Sequence, residues 1–403
     1  MSTLYPFQAL LPASDKASQV ASLPYDVMNR QEARQAVEGN PLSFLRVTLA
    51  DLELPDQVSS YDPAVYQRAA ENLRAMQEKG VLKQDDEESF YLYSLVMEGR
   101  RQTGIVACVS VPEYNQGIVR RHEFTRKEKE DDRTQHILTT GAQTGPVFLA
   151  YRDQPEADAL TQEVMEGQPP LFDFTASDGI RHTGWRIPRE KTAALAALFQ
   201  EKVPLLYIAD GHHRAAAAAR SAQERPQDPQ AARTMGVIFP ASQLKILAYN
   251  RVVRDLGGLS TEEFLARLAE VGEVGEEASP VPPAAGQVSF YLGGLWRSLS
   301  FRQRHPEDPI ASLDVSLLQE QVLAPILGIQ DPRRDPRIDF VGGIRGTREL
   351  EERVDKGEAL AFSLYPTSLE QLMRVADAHG IMPPKSTWFE PKLRDGLFTH
   401  CLS

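Results

Sequence analysis

Cysteine is scarce in this chain of 403 residues, which contains only Cys108 and Cys401. Two cysteines cannot supply a disulfide framework or a thiolate zinc site, and such sparing use fits a reducing compartment. No apolar run approaches the roughly 20 residues that a membrane-spanning helix requires, and the N-terminus is too polar for a signal peptide. We therefore expect a cytoplasmic protein with no membrane partner.

Positive charge is also in short supply. The chain has 44 Lys and Arg against 56 Asp and Glu, so its formal net charge is 44 − 56 = −12. Surfaces that bind nucleic acids need clustered excess cations, because each contact neutralises a phosphate. The balance therefore argues against a nucleic-acid partner, although it allows a local basic pocket that holds a small anion.

Three common catalytic signatures are missing. The chain has no Gly-x-x-x-x-Gly-Lys-Ser/Thr phosphate loop, no Gly-x-Ser-x-Gly nucleophile elbow and no His-Glu-x-x-His zinc helix. The residues His122, Glu123, His136, His212 and His213 leave open a metal site assembled from distant parts of the chain.

Segments rich in β-branched and aromatic residues alternate with helical patterns, which predicts an α/β (α+β) fold. We expect strands over residues 90–97, 104–111, 147–151, 204–209, 235–239, 245–250, 288–292 and 359–364. We expect helices over residues 63–79, 153–166, 189–201, 213–223, 261–271, 313–327 and 368–378. An acidic, Pro-rich stretch without periodicity, residues 272–286, indicates a linker. We therefore divide the chain into a unit of residues 1–258 and a C-terminal α/β unit of residues 259–403.

The sharpest motif is Asp210-Gly211-His212-His213-Arg214, which lies between an apolar run and a run of alanines. It predicts a buried strand that turns directly into a helix, whose N-terminal N–H groups favour anions. Glycine permits a close approach of the backbone, and arginine can grip phosphate oxygens bidentately. The alternative is that Asp210 caps the helix and the histidines lie on the surface.

A second motif is His122-Glu123-Phe124-Thr125, followed by eight charged residues from Arg126 to Arg133. In a helix, a cationic stripe would form from Arg126, Lys129, Arg133 and His136. Such a run is also typical of a solvated, salt-bridged face. The loop that follows contains Thr144 and Gly145 at the start of a strand, a common position for ligand contacts.

Two weaker candidates lie near the ends of the chain. Asp26, in Pro-Tyr-Asp-Val, precedes a short helix that it would ordinarily cap. Lys385 and Ser386 lie in the stiff turn Pro-Pro-Lys-Ser-Thr, where an ammonium group could reach a phosphate or a carboxylate.

The order of these motifs resembles a large bacterial and archaeal family catalogued as a domain of unknown function. The Asp-Gly-His-His-Arg turn is similar to the phosphate-binding turn of the ParB/sulfiredoxin-like fold, in which free-serine kinases place Asp-Gly-x-His-Arg. The resemblance implies a ParB/sulfiredoxin-like core with large insertions. The family usually has His-Glu-His-Thr-Arg-Pro at the second motif, where this chain has Phe124 and Lys127.

The resemblance also implies roles for individual residues. Nucleotide phosphates would bind at Asp210, Gly211, His212, His213 and Arg214. The base that accepts the hydroxyl proton would be Glu123 or Asp26, with Glu123 favoured by its His122 and Arg126 neighbours. The remaining roles follow from the chemistry of phosphoryl transfer, which needs cations near the developing charge; Arg126, Lys129 and Arg133 would supply them. The substrate would contact Thr144, Gly145, Lys385 and Ser386, and Asp131 or Asp132 would help to hold Mg²⁺.

These expectations combine into a kinase that transfers the terminal phosphoryl group of ATP or ADP to the hydroxyl of a small amino acid. Free L-serine, converted to O-phosphoserine, is the favoured substrate. Two other hypotheses stay open. One is a ParB-like regulatory protein that binds or hydrolyses nucleotide, and the other is a metal-dependent hydrolase built on the histidines.

Overall fold

The computed structural model describes all residues from Met1 to Ser403. The chain forms two compact units, Met1–Leu244 with Pro391–Ser403, and Lys245–Glu390. The boundary expected near residue 258 therefore lies inside the second unit, and the last residues belong to the first. Residues 272–286 suggested a linker because they lack periodicity, but they form an edge strand and a loop of the second unit.

The strands, in chain order, have the following bounds. They are β1 (Leu4–Tyr5), β2 (Ala9–Pro12), β3 (Leu82–Gln84), β4 (Tyr91–Met97), β5 (Arg100–Ser110), β6 (Val119–Arg120), β7 (Ala142–Gln143), β8 (Val147–Tyr151), β9 (Phe172–Thr175), β10 (Arg181–Arg186), β11 (Leu206–Asp210), β12 (Arg233–Pro240), β13 (Lys245–Leu247), β14 (Tyr249–Val253), β15 (Gly272–Gly275), β16 (Gln287–Leu292), β17 (Leu295–Phe301), β18 (Ile338–Gly342), β19 (Leu360–Leu364), β20 (Trp388–Glu390) and β21 (Thr399–Cys401).

The helices are α1 (Ala17–Val20), α2 (Arg30–Val37), α3 (Leu45–Thr48), α4 (Pro63–Glu78), α5 (Val111–Asn115), α6 (Lys127–Thr140), α7 (Pro155–Gly167), α8 (Arg189–Lys202), α9 (His212–Glu224), α10 (Thr261–Val271), α11 (Asp314–Leu318), α12 (Arg348–Asp355) and α13 (Leu369–Asp377). None of them is long and apolar enough to cross a bilayer.

The main sheet of the first unit has the order β6-β11-β8-β12-β5-β4-β10-β9, with β1 paired to β5. Its pairs are antiparallel except β6–β11 and β8–β12, which are parallel. Apolar side chains from β5, β8 and β11 pack with those of α8 in one core, which includes Val109, Leu149, Leu195 and Ile208. The mixed α/β class predicted from the sequence is confirmed.

Two features of the first unit position the candidate site. Strand β11 pairs with β8, and its register shifts between Ile208 and Asp210; such an irregularity re-aims the side chains at a strand end. Helix α9 then begins directly and packs against α6, which also packs against α4. A smaller sheet of order β3-β2-β21-β7 includes the returning C-terminal strand.

The second unit contains a six-stranded antiparallel sheet of order β15-β17-β16-β19-β14-β18 and the pair β13–β20. Buried residues from its strands and from α12, including Val252, Val341, Leu350 and Ala361, form its core. The helix expected over residues 313–327 is interrupted, because α11 ends at Leu318 and the π-helical turn Gln319–Leu323 follows.

Candidate active site

The Asp210–Arg214 motif forms the expected strand–turn–helix. Gly211 has φ +90°, a conformation that suits glycine. It is the N-cap residue of α9, and the helix has neither a side-chain cap nor an acidic residue in its first turn. The N–H groups of that turn therefore meet the condition for anion binding at a helix N-terminus.

Asp210 is held as a charged carboxylate. Its Oδ1 accepts a hydrogen bond of 2.8 Å from the N–H of Gly211, and its Oδ2 accepts one of 2.9 Å from Nζ of Lys392. Burial alone would raise the pKa of Asp210. The cations Lys392 and Arg214 more than offset this effect and hold the pKa well below its usual value. The role of Asp210 is thus to pair with cations rather than to cap α9.

His122 and His212 form a buried pair, so the alternative that the motif histidines lie on the surface is wrong for His212. Their rings are 4.5 Å apart and nearly perpendicular. The backbone N–H of His122 lies 3.5 Å from Nε2 of His212, whose Nδ1 lies 3.9 Å from Oε2 of Glu123. Burial lowers the pKa of His122 to about 4 and that of His212 well below its usual value. Both rings are therefore neutral at pH 7 and act through hydrogen bonds rather than charge.

His213, in the first turn of α9, contacts the start of α6. Its Nε2 accepts a hydrogen bond of 3.1 Å from the backbone N–H of Arg126, the N-cap residue of α6. Burial lowers the pKa of His213, which keeps the ring in the neutral form that this bond requires. His213 therefore fixes the start of α6 beside the first turn of α9.

The side chains of the cationic stripe expected on α6 lie in different environments. The Arg126 side chain is exposed, and Nζ of Lys129 donates a hydrogen bond of 3.0 Å to the hydroxyl of Tyr61. Arg133 and His136 line the pocket described below, and burial lowers the pKa of His136 to about 3, so this histidine adds no charge to the stripe. The exposed part of this run thus matches the salt-bridged face that the sequence also allowed.

The two carboxylates expected to bind Mg²⁺ already have cationic partners. Asp131 pairs with Lys127 at 2.7 Å and with Arg220 at 2.6 Å. Buried Asp132 pairs with Arg133 at 2.8 Å. In the whole chain, no group of three or more His, Cys, Asp and Glu side chains is placed to hold a metal ion. Asp131 and Asp132 therefore do not fit a protein-held Mg²⁺.

The histidine-based metal site is not formed either. Nε2 of His136 lies 3.0 Å from the carbonyl oxygen of Val47, and His213 is engaged with Arg126. The hydrolase hypothesis therefore has no ligand set in this fold.

A small pocket in the first unit brings together residues that are far apart in the sequence. Four of them, Arg133, Thr144, Gly145 and Arg214, are residues expected to bind phosphate or substrate or to stabilise charge. The cavity measures about 30 Å³, room for a water molecule or two. The remaining lining residues are Tyr25, Thr48, His136, Ile137, Gln143, Val147, Thr234, Met235 and Asp395.

Arg214 connects this pocket to Asp26. Its Nη1 donates a hydrogen bond of 2.8 Å to the carbonyl oxygen of Pro146, and its Nη2 lies 3.4 Å from Oδ1 of Asp26. The guanidinium carbons of Arg133 and Arg214 lie 4.3 Å and 5.7 Å from the ring centre of Tyr25. Asp26 therefore does not serve as the expected helix cap; that position is taken by Asn29, which caps α2.

Asp395 is a pocket residue that the sequence analysis missed. Its backbone pairs with that of Ser22 through N–H···O bonds of 2.8 Å and 3.1 Å, and the residue is 1% exposed. Burial raises the pKa of Asp395 to about 6, against the opposing effect of Arg214. The available signal was the occurrence of Lys392, Arg394 and Asp395 within a short, otherwise largely apolar segment, because buried charges are rare.

Lys385 and Ser386 belong to the second unit. Lys385 has φ +58°, and its Nζ lies 5.4 Å from the ring centre of Tyr249. The Ser386 hydroxyl donates a hydrogen bond of 2.6 Å to the carbonyl oxygen of Pro383. A role for both in substrate binding stays a prediction.

The family model described as "Protein of unknown function (DUF1015)" matches residues 4–316. The chain belongs to the DUF1015 family. No curated protein sequence matches this DUF1015 chain.

Several solved structures are similar to the DUF1015 chain. A free serine kinase variant in complex with AMP has 13% identity and a TM-score of 0.37, and the match covers 70% of this chain and 87% of that one. A conserved hypothetical protein from Pyrococcus furiosus has 13% identity and a TM-score of 0.37, with coverage of 72% and 93%. SbnI from Staphylococcus aureus, truncated at its C-terminus, has 11% identity and a TM-score of 0.40, with coverage of 72% and 85%. Similarity this low does not transfer an activity or a site.

Proposed function

We propose that this DUF1015 protein is a nucleotide-dependent kinase that phosphorylates the hydroxyl of a small amino acid, with free L-serine as substrate and O-phosphoserine as product. The observation that supports it is the convergence of Arg133, Thr144, Gly145 and Arg214 on one pocket, next to Asp26 and the uncapped start of α9. Phosphoryl transfer needs positioned anion-binding groups and an acceptor for one proton, with little covalent chemistry from the protein.

The phosphates of ATP or ADP would bind at the first turn of α9. Gly211 allows the backbone to approach a ligand closely, and the uncapped N–H groups of the turn would donate to phosphate oxygens. Neutral His212 and His213 would shape this end of the site. Arg214 leaves the helix toward the pocket, so we assign its guanidinium to the boundary between the nucleotide and the acceptor.

The acceptor would bind at the solvent-open mouth of the pocket beside Thr144 and Gly145, with only its small charged groups inside the cavity of about 30 Å³. Its hydroxyl oxygen attacks the terminal phosphorus, the bond from that phosphorus to the bridging oxygen breaks, and the shortened nucleotide leaves. The hydroxyl proton passes to a carboxylate acting as general base. We propose Asp26 for this role, because it contacts the pocket residue Arg214. Glu123, which lies beside His212, is the second candidate.

The test is a direct product assay on the purified full chain. The protein is incubated with L-serine and Mg²⁺ and with either ATP or ADP. Phosphoserine is followed by ³¹P NMR and mass spectrometry, and nucleotide products by chromatography. The proposal expects one phosphoserine for each nucleotide consumed, and little product from an Asp26→Asn preparation. Release of inorganic phosphate without phosphoserine would favour the ParB-like regulatory hypothesis, and absence of nucleotide turnover would reject the kinase.

A further inference from the structure

Two buried polar atoms of opposite charge lack partners in the pocket of the first unit. One is Oδ1 of Asp395, and the other is Nε of Arg214. Both residues line the cavity. Buried polar atoms without hydrogen bonds are uncommon because their desolvation is costly. The cavity of about 30 Å³ admits only groups the size of a water molecule or two. The pair therefore indicates a ligand that places one donor beside Asp395 and one acceptor beside Arg214, with the rest of the ligand outside the cavity.

The Asp395 carboxylate is held in place from two sides. Backbone hydrogen bonds to Ser22 fix its main chain. Its side chain lies against Gly145, where an added Cβ would come within 2.6 Å of Oδ1. Glycine at position 145 therefore makes the space that the carboxylate occupies. Such fixing from independent chain segments is typical of a built binding site rather than of a loosely buried acid.

The charges in the pocket match a zwitterion. Burial would lower the pKa of Arg214, but Asp395, Asp26 and Asp210 raise it above its usual value, so Arg214 stays charged. Burial raises the pKa of Asp395 to about 6, which leaves most of it ionised at pH 7.5. The ammonium group of an α-amino acid donates to a carboxylate, and its carboxylate accepts from a guanidinium. A neutral alcohol or a hydroxy acid satisfies only part of this arrangement.

We propose that Asp395 binds the ammonium group of the acceptor and thereby restricts the enzyme to hydroxyl-bearing α-amino acids. Asp395 is in this view a specificity-determining residue that lies beyond the segment matched by the family model. The inference rests on the proposed kinase function, whose acceptor it specifies, but it makes a claim about binding that can be tested without catalysis.

Isothermal titration calorimetry on the full chain at pH 7.5 tests the claim with four probes. L-serine and L-alanine carry both charged groups, D-glycerate lacks the ammonium and ethanolamine lacks the carboxylate. We expect L-serine and L-alanine to bind, and D-glycerate to bind at least about tenfold more weakly than L-serine. Asp395→Asn should weaken L-serine binding at least about tenfold and leave D-glycerate binding unchanged or stronger.

Melting temperatures separate this role from a structural one. Oδ1 of the buried Asp395 carboxylate has no hydrogen-bond partner, so replacing the carboxylate by a neutral amide should preserve or raise stability. Asp395→Asn should therefore lose ligand binding and keep its fold. Asp314 provides a matched control in the second unit, because it is also a buried aspartate whose pKa burial raises to about 6. Asp314→Asn should leave L-serine affinity unchanged.

Three results would overturn the inference. They are equal binding of D-glycerate and L-serine by the wild type, normal L-serine affinity in a folded Asp395→Asn variant, and no amino-acid binding at all, which would mean that the cavity holds water only.

The product assay distinguishes failure of this inference from failure of the proposed kinase function. L-serine binding that depends on Asp395, without phosphoserine formation, rejects only the kinase. Phosphorylation of ethanolamine and D-glycerate as fast as L-serine rejects only the ammonium site.

Discussion

Nζ of Lys392 lies 2.9 Å from Oδ2 of Asp210, a residue 182 positions earlier in the chain. This ion pair joins the C-terminal segment to the turn that starts α9. The Lys392 side chain is 10% exposed and that of Asp210 is 36% exposed. Lys392 is therefore almost buried, whereas solvent partly screens the charge of Asp210.

Lys392→Met should destabilise the first unit, because Asp210 would lose the nearest charge that offsets its burial. We expect the free energy of unfolding to fall by about 1–2 kcal/mol, less than for a fully buried pair, because solvent screens Asp210. Urea denaturation at pH 7 measures it. The depressed pKa of Asp210 means that its contribution is complete above about pH 4 and is lost only at lower pH. An unchanged unfolding curve would contradict this assignment.

Gly145→Ala should damage both stability and substrate binding. The new methyl group would lie 2.6 Å from Oδ1 of Asp395, so the carboxylate would have to move. We expect a loss of about 1–3 kcal/mol in unfolding free energy and a raised KM for L-serine. Gly167→Ala is the control, since a Cβ there has no neighbour within 4 Å. Equal behaviour of the two variants would show that the contact at Gly145 is unimportant.

Asp26→Asn should separate chemistry from binding. If Asp26 is the general base, kcat should fall by about 10²–10⁴-fold, while the nucleotide Kd should change little because the phosphates bind at α9. Glu123→Gln should retain more activity. Steady-state kinetics and nucleotide titration provide the two measurements. The opposite ranking of the variants would assign the base to Glu123, as the sequence first suggested.

The burial of His136 should make the free energy of unfolding depend on pH. Burial lowers the pKa of His136 to about 3, whereas an unfolded histidine titrates near 6.5. Between these values the unfolded state binds a proton that the folded state does not, so the contribution of His136 to stability is fully present above about pH 6.5 and is lost as the pH falls. His136→Asn should reduce the slope of unfolding free energy against pH by about 1.4 kcal/mol per pH unit between pH 6 and 4. Parallel curves for variant and wild type would show that His136 is not buried as a neutral ring.

Local patterns predicted much of the secondary structure. The strand at residues 147–151 and the helix at residues 261–271 have the expected bounds, because each has a clear apolar pattern and, for the helix, a Ser260 capping box. The expected strand over residues 245–250 is two strands with different partners. Pairing partners are set by tertiary contacts, which a local pattern does not contain.

The candidate site was likewise predictable where it depends on local sequence and not where it depends on tertiary contacts. The turn at Asp210–Arg214 was predictable because strand, glycine and helix are adjacent in the sequence. The cation partners of Asp131 and Asp132 depend on side-chain placement, and the arrival of Asp395 depends on a backbone pairing with Ser22. These contacts join residues that no motif connects, so charge and spacing alone could not reveal them.

The return of residues 391–403 to the first unit has a consequence for biosynthesis. Strand β21 lies between β2 and β7, and Asp395 completes the wall of the pocket. During translation, the first unit therefore cannot complete its fold until all of Lys245–Glu390 has been synthesised. Domains generally fold as units while the chain emerges. A ribosome stalled within the second unit would thus display a first unit that lacks both an internal strand of its small sheet and part of its site.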